Sequence, residues 1–536
     1  TPRRRRDGRK FRMTPEFRLM GTRSVLIDLP DSRTVMRWHA HLNAHPLDGQ
    51  IEVIAAANTL LFKADTRRAL DAAFNALRTL QPPEVQADEN KTVGIDVMYS
   101  GEDLEEAANL YGMSPQALID YHTSEEWTAA FGGFAPGFVY CTSASQSWDT
   151  PRKSSPRPQV PAGSVALAGP YSAVYPIDSP GGWQLIGTTP TPVWDETQNP
   201  PNLIHPGDTV RYRAVTEHID VKPGVTSADS FGHSPHPGEP VATVTEVGLQ
   251  ALFQDLGRVG HGDVGVSTSG ALDRGAARQA NRIVGNSSSA TVIECLFGGF
   301  SFCADVDVTC AVTGAQAPLT VDGQPAPLRT PVVVPAGAKL SVGAPTCGAR
   351  NYVAVRGGFA APAVMGSSAS DTLSKLGPDP IVVGQKLSIE TGAVPAAVGE
   401  AEPSTLPENL ESVTLRAVPG PRAHWCAPGE LDTLATQTWT VSSTSNRIAL
   451  RLTPSEDGRV LRRAEGKGEL ASEGMVSGAI QVPPEGQPVL FLADHPVTGG
   501  YPVIATVVAE DLDLAAQLPP GTHVHFDLVD VPGDAT

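Results

Sequence analysis

Charged side chains set among glycines and strands are the residues of this 536-residue chain best suited to chemistry. A backbone bent around a small polar ligand needs small residues and fixed donors. Arg152 and Arg157 stand in such surroundings in "PRKSSPRPQ", and "QDLGRVG" supplies Gln254, Asp255 and Arg258. "SGALDR" adds Ser269 and Asp273. An arginine holds a carboxylate or phosphate through two parallel hydrogen bonds, so these segments predict an anion site. The competing reading is a set of loops held by Arg–Asp pairs. Glu294, inside the apolar run "TVIECLFGGF", is either a buried partner of one of these arginines or a carboxyl of raised pKa. His122 lies between a helical pattern and "EEWTAAFGGFAPGF", where it serves as acid, base or substrate contact, or else caps and packs.

A second feature repeats. "SPGGWQLIGT" (179–188) aligns with "VTGGYPVIAT" (497–506), sharing both glycines, Ile and Thr, with Trp183 opposite Tyr501. Glycine inside a strand pattern marks a bulge, a turn or a backbone that something approaches closely. If the segments belong to a duplicated β-domain whose copies face one another, Gly181, Gly182, Gln184, Thr498, Gly499 and Gly500 border one cleft walled by Trp183 and Tyr501. Chance likeness of two glycine-rich hairpins is the alternative.

The elements that must position these residues are mostly strands. With 52 Gly, 48 Pro and 6% aromatics, the composition favours many short strands joined by turns, and the length suggests three or four domains. The pattern predicts a strand over 17–29, a helix over 32–45 opened by Ser32, a hairpin over 49–64 and a helix over 66–77: an α+β lobe spanning 15–90. A strand follows at 92–99, then helices at 102–112 and 114–123, the latter with Ser114 as cap and Pro115 at its first turn. Strand-and-turn pattern fills 131–215. The Gly/Pro-rich stretch 218–240 reads as a linker, and 393–409 as a weaker boundary within the module 241–536.

Several functions are disfavoured. The first twelve residues are basic, but residues 13–536 sum to about −24, which repels nucleic acid, so residues 1–14 read as a short basic tail. No apolar run reaches the ~18 residues of a membrane span, and a soluble cytoplasmic protein is expected. Six cysteines without a C-x-x-C pair predict reduced thiols, Cys141 among them as a buried one. His41 and His45 share one helix face, as a metal pair or a solvated face would, while His233 and His236 fall in the linker. No metal site is expected.

The longer motifs carry a resemblance. "GFAPGFVY", "PRKSSPRPQVPAGSVALAG" and "YPIDSPGGWQLIGTTP" resemble allophanate hydrolase subunit 1, also called the B subunit of 5-oxoprolinase, over residues 15 to about 217. "VGLQALFQDLGRVGHGDVGVSTSGALDRGAARQANRIVGN", "SNRIALRL", "IQVPPEGQPVLFLAD" and "TGGYPVIATVV" resemble subunit 2, or the C subunit of 5-oxoprolinase. The resemblance implies a mainly β fold with an α+β N-terminal lobe and paired cyclophilin-like β-barrels, as in the carboxyltransferase part of urea carboxylase. It also implies a family histidine at the position of His122. The subunit-2 family has a basic residue between the serines of "MGSSASDTLSK", where this chain has Ala369, so a binding role of that loop is in doubt.

Three functions follow from the resemblance. The first is a component of an ATP-dependent 5-oxoprolinase that makes glutamate from 5-oxoproline with the help of a separate A subunit. In that case ATP is bound without a P-loop or by the partner, because no G-x-x-x-x-G-K-[ST] occurs. The second is a carboxyltransferase acting on an amide or urea nitrogen. With no Met-Lys-Met biotinylation motif here, it needs biotin in trans. The third is a non-enzymatic inhibitor and antagonist of a histidine kinase. Fusion of both halves favours an enzyme, since a shared site gains effective concentration whereas joined antagonists blunt regulation. A small amide or lactam substrate, an A-subunit-like partner and compatibility with a homo-oligomer complete the expectation.

Overall fold

The computed structural model describes residues 14–82, 91–143, 145, 148–153, 155, 157–198, 200–216, 238–392 and 395–530. The basic tail before Thr14, most of the expected linker with His233 and His236, and the start of the 393–409 boundary lie outside the described residues.

The N-terminal lobe is a four-stranded antiparallel sheet carrying two helices. Its strands are ordered Glu16–Leu19, Ser24–Asp28, Thr59–Ala64, Gln50–Ala55. What reads in sequence as one strand over 17–29 is a hairpin, turned at Gly21 with φ +78°. Helix α1 (Ser32–Ala44) is capped by Asp31, whose carboxylate accepts the Thr34 N–H, one residue before the expected Ser32. Helix α2 (Arg67–Thr79) is capped by Thr66. Val35, Trp38 and Leu42 of α1 and Leu70, Ala73 and Leu77 of α2 bury one stripe each in the lobe's core.

Helices α3 (Leu104–Leu110) and α4 (Pro115–Ser124) follow the first strand of the first barrel; Ser114 caps α4, with Pro115 at its start. Around this barrel the strands run Gln184–Thr188, Ser164–Ala168, Tyr171–Val174, Val139–Ser143, Trp127–Gly132, Thr209–Ala214, Thr92–Val97. An antiparallel bridge between Met98 and Thr188 joins its two ends.

Residues 238–390 form two sheets, of seven and five strands, packed over an apolar core. Helix α5 (Arg274–Ile283) lies against this unit with Ala276, Ala277, Ala280 and Ile283 buried. A closed barrel then spans Ser412 to Leu528.

The two barrels have one topology. The order in the second is Val503–Val507, Ala479–Gln481, Val489–Phe491, Ala449–Pro454, Trp439–Val441, His523–Leu528, Ser412–Pro419. Each has a single parallel pair, first strand with last (Thr92–Val97 with Thr209–Ala214; Ser412–Pro419 with His523–Leu528). The Gly-Gly segments fall at the same place in both: a short strand pairing outside the barrel (Ser179–Gly181, Thr498–Gly499) followed by a barrel strand. Even a side-chain bond is repeated. Trp127 donates to the His122 carbonyl at 3.1 Å in α4, and Trp439 donates to the Leu434 carbonyl at 3.0 Å in α6 (Glu430–Thr436).

Candidate functional site

The glycines of "FGGFAPGF" (131–138) are where the two halves touch. A Cβ on Gly132 would overlap the Asp263 carbonyl, and one on Gly133 the Thr498 side chain. Phe134, held at φ +64°, donates its N–H to Thr498 Oγ1 at 3.1 Å, and the Gly137 N–H donates to the Val264 carbonyl at 2.9 Å. Side chains are absent at Gly132 and Gly133 because the Asp263 backbone and the Thr498 side chain of the other half take their place.

Beside this contact a cleft of about 670 Å³ opens between the lobe, the first barrel and a loop of the second barrel. Its polar lining includes Asp31 from the lobe, Asp149, Arg152 and Tyr171 from the first barrel, and Glu469 and Ser472 from the loop. Asp31 is engaged in capping α1. Arg152 is exposed and pairs with no carboxylate among the described residues. Its charge instead acts on the phenols of Tyr140, Tyr171 and Tyr175. Burial pushes all three phenols above their ordinary range, so they are protonated donors; at Tyr140 Ser472, Arg152 and Thr498 oppose that rise.

Arg152 lies between the two Gly-Gly segments. The N–H of its neighbour Lys153 donates to the Gly182 carbonyl at 2.8 Å. A Cβ on Gly500 would stand 3.8 Å from Arg152 Nη1 and 3.4 Å from the Leu470 carbonyl. None of Gly181, Gly182, Gly499 and Gly500 has positive φ. At Gly181 the missing side chain makes room for the Tyr175 hydroxyl.

Sequence reasoning missed the residues that hold the loop over the cleft. Arg422 donates to Glu473, next to Ser472, at 2.7 Å from Nε, and to Asp28 in the lobe at 3.1 Å from Nη1. The Ala57 N–H adds a bond to the Ser472 carbonyl at 3.2 Å.

Other expected site residues are placed elsewhere. Arg157 Nη2 donates to both oxygens of Asp103, at 2.7 and 2.8 Å, which also accepts Lys153 at 2.8 Å. Burial opposes the Asp103 charge, yet Arg157 and Lys153 hold its carboxyl below the usual range. Trp183 and Gln184 are buried, Trp183 edge-on to Phe138 and Tyr140. Tyr501 is exposed. His122 is fully buried: Nδ1 meets the Tyr99 hydroxyl at 2.7 Å and Nε2 the Ser172 hydroxyl at 3.0 Å. Burial pushes its imidazole down to about 3, and its counterpart in the duplicate barrel is Leu434, so its geometry is that of a neutral packed residue.

The candidates of the second half form a buried network instead of lining the cleft. Gln254 donates to the Ser370 carbonyl, while Asp255 accepts from the Ser367 hydroxyl at 2.6 Å and the Ser368 N–H at 2.8 Å. Arg258 donates to the carbonyls of Val364 and Ala369. "QDLGR" and "GSSAS" are thereby tied to each other. Ser269 donates to Asp494, which pairs with Arg447. Glu294 pairs with arginines outside the expected set, Arg447 and Arg350, the latter at 3.6 Å, and accepts from the Tyr352 hydroxyl at 2.8 Å. Asp273 caps α5, and burial together with the Asp513 charge pushes it up to about 7.

Cys141 is buried, its thiol pushed up to about 12 by burial. Among the described residues no group of three or more His, Cys, Asp and Glu is placed to hold a metal ion, and no helix is long and apolar enough to cross a membrane.

A duplicated barrel pair, with an α+β lobe on the first barrel and a two-sheet unit before the second, defines the class. The chain matches the family models for the carboxyltransferase domain, subdomains C and D over residues 15–204 and subdomains A and B over residues 264–528, and it belongs to that family. Its second half is 33% identical over 286 residues to the C subunit of 5-oxoprolinase from Escherichia coli (strain K12), covering 53% of this chain and 89% of that protein. Its first half is 38% identical over 194 residues to the B subunit of 5-oxoprolinase from Bacillus subtilis (strain 168), covering 33% of this chain and 81% of that protein. The solved structure of the protein TTHA0988 superposes with a TM-score of 0.81 at 32% identity, covering 94% of this chain and 99% of that one.

Proposed function

We propose that this chain joins in one polypeptide the work of the B and C subunits of 5-oxoprolinase, opening 5-oxoproline to glutamate with ATP and an A-subunit-like partner. The observation that carries the reading is Arg152, a guanidinium free of carboxylate partners among the described residues, in a cleft to which both halves contribute. The likeness of each half to a 5-oxoprolinase subunit supports it.

Arg152 would hold the substrate carboxylate bidentately. Tyr171, kept protonated by burial, would donate to the lactam oxygen, where negative charge gathers as water adds to the carbonyl carbon. One of the rim carboxylates, Asp149 or Glu469, would accept the water's proton and return it to the ring nitrogen as the C–N bond breaks.

Opening an unstrained lactam is uphill enough to need ATP. This cleft does not suit a triphosphate, since Arg152 stands against Asp31, Asp149 and Glu469. ATP would therefore be held outside this cleft, by the partner, where it would supply the driving force that opening the ring needs. Six free thiols support a reducing, cytoplasmic setting.

The test is reconstitution. With an A-subunit homologue and ATP the chain is expected to convert 5-oxoproline to glutamate, and alone to show little turnover. Full ATP-dependent turnover by the chain alone would overturn the division of labour. The carboxyltransferase description of both family models favours a second reading, transfer of CO2 from biotin carried in trans to an amide nitrogen. Recovery of a biotinylated protein with the chain from native lysate would select it.

A further inference from the structure

A second cavity, of about 310 Å³, lies where the lobe, α5 and the second barrel meet. Its chemistry is opposite to that of the first. The lobe contributes Arg23 and Lys63, α5 contributes Arg274 and Arg278, and the second barrel side adds His495 and Asp513. Lys63 is already neutralised by Glu52 at 2.7 Å. His495 is buried and neutral, pushed down to about 4 by burial. Asp513 spends its carboxylate on the N–H groups of Arg274 and Gly275, at 2.9 and 3.0 Å.

The three arginines have no such compensation. Arg23 donates to the Asp65 carbonyl at 3.2 Å and Arg274 to the Ser269 carbonyl at 3.1 Å, and none of the three forms an ion pair among the described residues. Burial pushes Arg274 below its ordinary value, and Arg274 feels Arg278 and Arg23 as like charges, with the carboxylates of Asp513 and, outside the cavity lining, Asp255 opposing them. Gathering three guanidinium groups on one cavity against a single carboxylate is unfavourable without an anion. A carboxylate ligand would cancel one of the two excess charges, whereas a phosphate dianion cancels both.

We propose that this cavity binds a phosphate dianion, free or as a small phosphate monoester, held by Arg23, Arg274 and Arg278. The ligand would bridge the two halves, since Arg23 comes from the lobe and the other two from α5. The site is separate from the Arg152 cleft and does not depend on the activity proposed for it.

Isothermal titration of the full chain at pH 7.5 and low salt, with inorganic phosphate, phenyl phosphate and acetate, tests this. Saturable binding of phosphate identifies the free anion as ligand, and binding of phenyl phosphate alone identifies an ester; either supports the site. Arg23→Gln and Arg278→Gln, both exposed positions, are each expected to weaken binding about tenfold or more, the loss of one charge-assisted hydrogen bond. Arg213→Gln, on the first barrel, should bind as the unmodified chain does. Melting temperatures confirm that the variants are folded. No saturable heat with either phosphate compound, acetate binding as tightly as phosphate, or unchanged affinity in both cavity variants would each overturn the proposal.

Discussion

Replacing His122 with leucine separates a packed histidine from a reacting one through its pH dependence. In the native chain burial drives the imidazole down to about 3, while in the unfolded chain it titrates near 6.5. Its folded pKa being the lower, the unfolded state binds more protons below about pH 6.5. The neutral form's stabilisation is thus complete above that value and is lost as pH falls toward 3. By pH 4.5, two units below the unfolded value, the unmodified protein has lost roughly 3 kcal/mol on this account. Leucine carries no such loss but leaves the Tyr99 and Ser172 hydroxyls without their partner, roughly 1–3 kcal/mol. His122→Leu should therefore be the less stable protein at pH 7.5, and the two should converge or cross near pH 4.5. Urea unfolding followed by tryptophan fluorescence reads this locally, because Trp127 and Trp148 lie 5.0 and 5.9 Å from the imidazole. Turnover per folded molecule should be unchanged. A stability gap that does not narrow on acidification, or a folded variant without activity, would refute the reasoning.

Two further outcomes are expected. Arg258→Lys cannot reach both the Val364 and Ala369 carbonyls, so its melting temperature should drop while the KM for substrate is retained; an altered KM would return Arg258 to the site. Gly133→Ala forces a Cβ onto Thr498 and should cost about 2 kcal/mol or more, whereas Gly500→Ala, at 3.4 Å from its nearest atom and without positive φ, should change stability by less than about 0.5 kcal/mol yet raise KM by crowding Arg152. Calorimetry beside steady-state kinetics distinguishes the pair, and equal loss of stability in both would count against the cleft.

The legible parts of the sequence were those written in local chemistry. Ser114 and Pro115 mark the start of α4, and the hairpin over 49–64 shows in its alternating pattern. The Gly-Gly echo leaves duplication and chance likeness open, and the common strand order of the two barrels decides for duplication; the remaining barrel strands carry only the short apolar patterns any barrel strand satisfies. The hairpin at Gly21 reads in sequence as one strand because apolar residues flank the turn on both sides. Long-range pairing was hidden. Arg422 and Asp28 are 394 positions apart, and Glu294 and Arg447 are separated by 153, so neither partner announces the other. Arg157 and Arg152 sit five residues apart in similar surroundings, and only the fold shows that Asp103 takes one while the other has no carboxylate partner among the described residues.

That difference is the centre of the account, and the KM for 5-oxoproline of Arg152→Gln, measured with an A-subunit homologue and saturating ATP, tests it most directly. Arg152 is exposed and without an ion-pair partner among the described residues, so stability should change by less than about 0.5 kcal/mol. Loss of a bidentate, charge-assisted contact to the substrate carboxylate should raise KM roughly 10- to 100-fold. A KM equal to that of the unmodified chain, in a folded and partner-bound variant, would contradict the placement of the substrate in this cleft.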